Sequence, residues 1–251
     1  MNVADLLSHL DSLLSSKTFQ DYGPNGLQVG NLQAPIKTIA VAVTADLQTI
    51  KQAVAASANT LIVHHGIFWK GMPYPITDMI YKRIELLIKH NIQLIAYHLP
   101  LDAHPTLGNN WRVALDLNWN DLQPFGSSIP YLGVQGSFPP LHIDTFIDLL
   151  SQYYQSPLKA SALGGPSIIS SAALVSGGAY RELSLAAACQ LDCFITGNFD
   201  EPAWSIALEN NINFLAFGHT ATEKVGPKSL VSYLKSQFSI PTIFIDTANP
   251  F

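Results

Sequence analysis

Charge is scarce in this chain, and cysteine is scarcer. Lys, Arg, Asp and Glu together supply only 12% of the 251 residues, the net charge is −5, and no run of Lys or Arg occurs. A nucleic-acid binder needs clustered positive charge to meet phosphates, so that class of partner is disfavoured. Low charge combined with 48% hydrophobic residues excludes a disordered chain and predicts much buried surface, subunit interfaces included. Two cysteines, Cys189 and Cys193, form neither a CxxC motif nor a Cys/His zinc spacing, and their apolar surroundings predict structural thiols in a reducing cytoplasm. Long apolar runs are also missing: stretches such as residues 94–101 fall well short of the ~20 residues that span a bilayer. The N-terminus, MNVADLLSHLDSLLSS, carries acidic residues within an amphipathic pattern and no basic leader, so it predicts a helix rather than a signal peptide. A soluble cytoplasmic protein is expected.

What is present is a repeated grammar of short apolar runs and helical patterns. Strands are predicted near residues 38–43, 61–63 and 92–97, with helices from Asp46 and over 77–89 between them. A second group follows, with strands near 131–138, 172–175 and 193–196 and helices over 182–190 and from Pro202. The last elements are a strand at 214–217, a helix from about Thr222 and a strand at 242–245. Alternating strands and helices predict an α/β protein of two intertwined lobes, each a mainly parallel sheet flanked by helices. The Pro- and Gly-punctuated stretch 123–130 marks the expected boundary. The first lobe then spans 1–125 plus about 212–251, and the second about 126–211. A chain of this length buries enough surface to fold without a metal staple, so any bound metal would be functional.

The polar residues fall where such a fold uses them. LIV runs into His64-His65-Gly66, LIAY into His98, ALV into Ser176-Gly177-Gly178, CFI into Thr196-Gly197-Asn198, and FLAF into Gly218-His219-Thr220. Open parallel sheets bind ligands beyond the carboxyl ends of their strands. A cleft between the lobes at those ends is therefore expected to hold metal. Adjacent His64 and His65 point to opposite faces while the strand continues, but beyond its end both can turn to one site or to two neighbouring ions. The alternative is one buried, hydrogen-bonded histidine beside an exposed one. Pro100 predicts a loop carrying His98 and Asp102, with Asn109-Asn110 opening the next helix. Asp102 can ligate or bridge cations, or simply serve a turn. His219 and Glu223, four apart, can share one ion if helical geometry begins early. Thr220 followed by Glu223 also reads as a capping box. His104, before Pro105, is expected at the surface.

At these residues the sequence resembles the GTP cyclohydrolase I type 2 homologues, also called Nif-three-like proteins. The matching blocks run nearly the full chain: Tyr22-Gly23-Pro24-Asn25-Gly26-Leu27-Gln28-Val29-Gly30, Val63-His64-His65-Gly66 with Phe68-Trp69, and His98-Leu99-Pro100-Leu101-Asp102. Ser176-Gly177-Gly178, Thr196-Gly197, Gly218-His219 with Thr222-Glu223, and Ile245-Asp246 with Asn249-Pro250 complete the set. The resemblance implies a toroidal homohexamer of two-lobed subunits, each with two divalent ions (Zn, Mn or Fe) held by His64, His65, Asp102, His219 and Glu223. Glu223 is then the bridging ligand, and His98 a further ligand, a supporting group or an acid/base. Asn198 stands where the family often has Glu, and Thr220 where it has an aromatic residue or His, so the pocket differs there.

The chemistry such a site supports is metal-assisted hydrolysis of a small-molecule substrate, a nucleotide or a phosphoester among the options. The family label names GTP. However, the chain has no GxxxxGK[ST] loop, and basic residues near the clusters are few: Lys70, Arg112, Arg181 and Lys224. The alternative is a non-catalytic metal-binding, metal-handling or scaffold protein. Open coordination positions distinguish an enzyme from a closed structural site.

Overall fold

The computed structural model describes residues 1–251. In chain order its elements begin with α1 (Val3–Leu13), β1 (Gly26–Val29), β2 (Ile39–Thr44), α2 (Leu47–Ala55), β3 (Thr60–His65), α3 (Asp78–Lys89), β4 (Gln93–Ala96) and α4 (Leu99–Ala103). Next come α5 (Trp111–Asp116), β5 (Asn120–Phe125), β6 (Gly133–His142), α6 (Ile143–Tyr154), β7 (Ala160–Leu163), β8 (Ile168–Leu174), α7 (Leu183–Ala188) and β9 (Cys193–Thr196). The series ends with α8 (Pro202–Glu209), β10 (Asn213–Ala216), α9 (His219–Thr222), α10 (Val225–Gln237) and β11 (Thr242–Phe244).

The chain divides into two compact units, Met1–Leu101 with Pro227–Ala248, and Asp102–Gly226 with Asn249–Phe251. The stretch 123–130, expected as the boundary, lies inside the second unit and begins within β5. Pro124 lies within this edge strand, paired with Val134, a position where a missing N–H is tolerated. The division also separates the expected ligands: Asp102, His219 and Glu223 belong to the second unit.

The first unit holds a five-stranded sheet of order β1-β4-β3-β2-β11. Four strands run parallel, and β1 closes the edge antiparallel to β4. Strands buried on both faces need apolar side chains in both directions, which is why IAVAVT and QLIA show no alternation. Ile39 and Val41 pack with α1 and α10 through Leu6, Leu10, Leu230 and Leu234. Ala40 and Ala42 face the other way, toward Ile50 and Ala53 of α2 and Leu87 of α3. Capping fixes the helix starts: Asn2 and Asp5 form a reciprocal capping box on α1, and Asp46 accepts from Thr49 N at the head of α2.

The second unit holds a six-stranded sheet of order β5-β6-β8-β9-β10-β7. Only β8–β9 and β9–β10 are parallel; β5–β6, β6–β8 and β10–β7 are antiparallel. The mainly parallel expectation therefore describes the first sheet, while the second is mixed. Strands β5 and β7 give no alternating apolar signal because they are short or solvent-facing edges. Helices α5 and α6 cover one face through Val113, Phe146 and Leu150. Helices α7 and α8 cover the other through Leu183, Ala186, Ala203 and Ala207. No helix is long and apolar enough to cross a membrane. Cys193 is buried, which pushes its thiol well above the ordinary range, whereas Cys189 is exposed.

Candidate functional site

In the first unit three histidines converge where β3 and β4 end. Strand β3 runs through both His64 and His65, so the pair does not lie beyond the strand as expected, and Thr44 pairs with His65 in the ladder. The strand ends at His65, and the two rings still approach to 4.6 Å between centroids. His98 follows β4, with its ring 4.8 Å from that of His64 and 5.5 Å from that of His65. Their ligating atoms lie within 4.8 Å of one another, so this group could hold a metal ion.

Each imidazole is oriented through Nδ1. His64 Nδ1 lies 3.2 Å from the carbonyl oxygen of Tyr97, His98 Nδ1 lies 2.7 Å from Asp21 Oδ1, and His65 Nδ1 lies 3.0 Å from Thr44 Oγ1. A carbonyl or carboxylate can only accept, so His64 and His98 donate from Nδ1, and their lone pair for coordination resides on Nε2. Outer partners of this kind set the tautomer and ring plane of metal-binding histidines. Trp69 packs edge-on against His98 at 5.2 Å and stands 6.0 Å from His65.

Asp21 organises this corner. Its carboxylate also accepts from the backbone N–H of Tyr22 and Leu99 and from the Asn25 amide. Burial works to raise its pKa, but the hydrogen bond and charge of His98, with the Asn25 and Tyr22 donors, outweigh it and hold the carboxyl below its usual range. Asn25 Oδ1 accepts from His98 N at 2.9 Å. Gln28 Oε1 accepts from Ile67 N at 2.7 Å and lies against Gly66, where any Cβ would collide with it. The Tyr22–Gly30 block thus braces the histidine corner.

The second unit carries the carboxylates. Asp102 lies in α4, whose first turn tolerates Pro100 because no intrahelical N–H is required there. The expected loop at 98–102 is therefore a short helix. Asp102 Oδ1 accepts from Asn109 Nδ2 at 2.9 Å and Ser176 Oγ at 3.0 Å. Asn109 in turn accepts from Gly226 N, and Asn110 accepts from Ser176 N. Both asparagines are fully buried.

His219 opens α9, and Glu223 follows its end as the C-cap residue, with His219 Nε2 and Glu223 Oε1 3.1 Å apart. Thr220 lies within the helix and Gly218 occupies the N-cap, so Thr220 and Glu223 do not form a capping box. The following helix starts at Val225 rather than near Thr222. Gly177 makes the room for Glu223: it has φ +66°, and a Cβ there would strike Glu223 Oε1. Its N–H donates to Thr222 Oγ1, and its carbonyl accepts from Gly197 N and Asn198 N. Consecutive residues after β8 thus serve both acids, Ser176 holding Asp102 and Gly177 accommodating Glu223. His104 is engaged in a local turn with Thr106 and Leu107.

Sequence reasoning missed Asp21, Asn109 as a partner of Asp102, and Ser176 as a donor. Two of them have partners distant along the chain, with 77 residues separating Asp21 from His98 and 74 separating Ser176 from Asp102, whereas Asn109 lies only 7 from Asp102. The family-like sequence blocks contained Ser176 and adjoined Asp21 without assigning a role, and Asn109 was read only as opening the next helix.

Together these features define a mixed α/β protein of two sheets flanked by helices, carrying His, Asp and Glu groups that could hold a metal ion. The model of the Duf34/NIF3 (NGG1p interacting factor 3) family matches residues 1–250, and the chain belongs to that family. It is 84% identical over 251 residues to a GTP cyclohydrolase 1 type 2 homolog of Chlamydia pneumoniae, covering all of both chains. A relative of the same description from Pasteurella multocida is 38% identical, again over the full length of both. Among solved structures, protein ybgI matches with TM-score 0.94 and TTHA1606 from Thermus thermophilus with 0.91, each 32% identical and fully covered on both sides.

Proposed function

We propose that this chain is a divalent-metal-dependent hydrolase in which His64, His65, Asp102, His219 and Glu223 serve one pair of cations. The observation that carries the reading is the oriented donor set: imidazoles held through Nδ1 in one unit, and in the other a histidine–carboxylate pair beside a glycine shaped to admit it. Mixed nitrogen and oxygen donors suit Zn, Mn or Fe. A bound pair would supply a water acidified toward neutrality and Lewis-acid stabilisation of developing negative charge.

The chain's own residues would do the rest. Asp102, with Oδ1 engaged by Asn109 and Ser176, would ligate through Oδ2. Glu223, given room by Gly177, would be a further oxygen ligand. His98, oriented by Asp21, would either complete a coordination shell or move a proton through Nε2. The name carried by the relatives points to GTP, and nucleotides and phosphoesters are the substrate classes to test first. A cytoplasmic homo-oligomer, a toroidal hexamer, goes with this reading and is checked by light scattering.

The test has two arms. Elemental analysis of His64→Ala and Glu223→Gln should find sharply reduced metal in folded protein, and unchanged content would refute the ligand assignment. A screen of GTP, other nucleotides and phosphoesters with protein loaded in turn with Mn, Fe or Zn should find turnover. A fully loaded protein that turns over none of them would leave the non-catalytic metal-protein reading in place of the enzyme.

A further inference from the structure

The second unit contains a cavity of ≈ 410 Å³ where α8 meets the edge strand β7. That volume falls within the roughly 300–1,000 Å³ of small-molecule sites. Buried Ala162, Ala203 and Phe214 form its apolar base, and the side chains that open to solvent are Phe199, Trp204, Asp200 and Glu201. Phe199 is 57% exposed and Trp204 60%. Helix α8 buries only Ala203 and Ala207 against the sheet, so the indole contributes little to the core. Two large aromatic side chains bordering one cavity match the aromatic lining common to small-molecule sites.

The charges lining the cavity are of one sign. Asp200 and Glu201 line it, and no Lys, Arg or His does. Asp200 is held in place: its Oδ2 accepts from Tyr180 OH at 2.9 Å, and its Oδ1 accepts from Glu201 N at 2.8 Å. Those two hydrogen bonds, the tyrosine's first, keep the carboxyl below the usual range, so it is ionised at neutral pH. The neighbouring cation, Arg181, donates from Nε to Tyr180 OH and lies over the Tyr180 ring with its Cζ 5.4 Å from the centroid. It braces the acid's partner without lining the cavity, and its charge also helps lower the Asp200 pKa.

An anion would be repelled by this lining, a bare metal ion would gain nothing from the indole, and a neutral ligand would leave the two carboxylates unused. An organic cation uses all of it, because the faces of aromatic rings attract cations and the carboxylates answer the charge. We propose that this cavity is a binding site for an organic ammonium ion, received by Phe199 and Trp204 and balanced by Asp200 and Glu201. The inference is independent of the metal reading.

The probe is choline, titrated into the full-length protein at low salt and followed by calorimetry and tryptophan fluorescence. The neutral isostere 3,3-dimethylbutan-1-ol is run beside it. The expected result is saturable choline binding that weakens with added salt, and that is at least about tenfold weaker for the isostere, for Trp204→Ala and for Asp200→Asn. Absence of saturable choline binding would overturn the proposal. So would an isostere that binds within roughly twofold of choline, or binding that survives in both variants. Should Trp204→Ala fail to fold, Phe199→Ala replaces it, and the choline–isostere comparison on the unaltered protein still decides.

Discussion

Asp21 and His98, 77 residues apart in sequence, meet at 2.7 Å through Oδ1 and Nδ1. The carboxylate simultaneously accepts from the Leu99 and Tyr22 N–H groups and the Asn25 amide. One side chain thereby joins the loop before β1, the end of β4 and the histidine cluster.

Replacing Asp21 by Ala strips the part-buried donors His98 Nδ1, Leu99 N and Asn25 Nδ2 of their acceptor, and urea denaturation should show a loss of roughly 1–3 kcal/mol. The pH dependence follows from the lowered pKa. A carboxyl depressed by folding contributes its full stabilisation above the ordinary value of 3.8 and loses it as pH falls through the folded value. Asp21→Asn should therefore flatten the acid limb of the stability curve below about pH 4. A limb identical to that of the unaltered protein would rule this out.

Gly177→Ala places a methyl group against Glu223 Oε1 at φ +66°. The left-handed backbone alone costs on the order of 1–2 kcal/mol, and Glu223 must also shift. Both the melting temperature and the metal content should fall. A variant that melts lower yet binds metal normally would show that Glu223 is not a ligand.

Asn109→Ala removes the Nδ2 donor to Asp102 and the acceptor for Gly226 N. Ser176→Ala removes only the second donor to Asp102. Loss of such outer hydrogen bonds typically costs about 10–100-fold in metal affinity. Competition with a coloured chelator should show weaker metal retention in both variants, while thermal melting should register the larger loss for Asn109→Ala.

Metal binding to the native state alone raises stability by RT ln(1 + [L]/Kd). Treatment with a chelator should lower the melting temperature, re-addition of Mn or Zn should restore it, and Glu223→Gln should respond to neither. Equal responses in both proteins would place the bound metal elsewhere.

Much of the molecule was legible in the chain. Runs such as TLIV and NFLA declare strands because a strand covered on both faces needs apolar residues throughout. The polar clusters at their ends then stand out against the apolar background. Less legible were β5 and β7, edge strands with little burial to enforce a pattern, and the antiparallel pairings of the second sheet. Pro100 pointed to a loop where a short helix accepts it, and Thr220 offered a capping box that the actual position of α9 excludes.

Residue identities and their local setting were enough to place this chain among α/β proteins and to mark His64, His65, Asp102, His219 and Glu223 as candidate ligands, because hydrophobic periodicity and strand-end chemistry are local properties. Only the tertiary structure could show that Asp21 holds His98, that Ser176 and Asn109 hold Asp102, and that Gly177 leaves space for Glu223. Such contacts, those of Asp21 with His98 and of Ser176 with Asp102 spanning 77 and 74 residues, depend on how strands pair and loops approach. The chain encodes that arrangement collectively, and no short segment displays it.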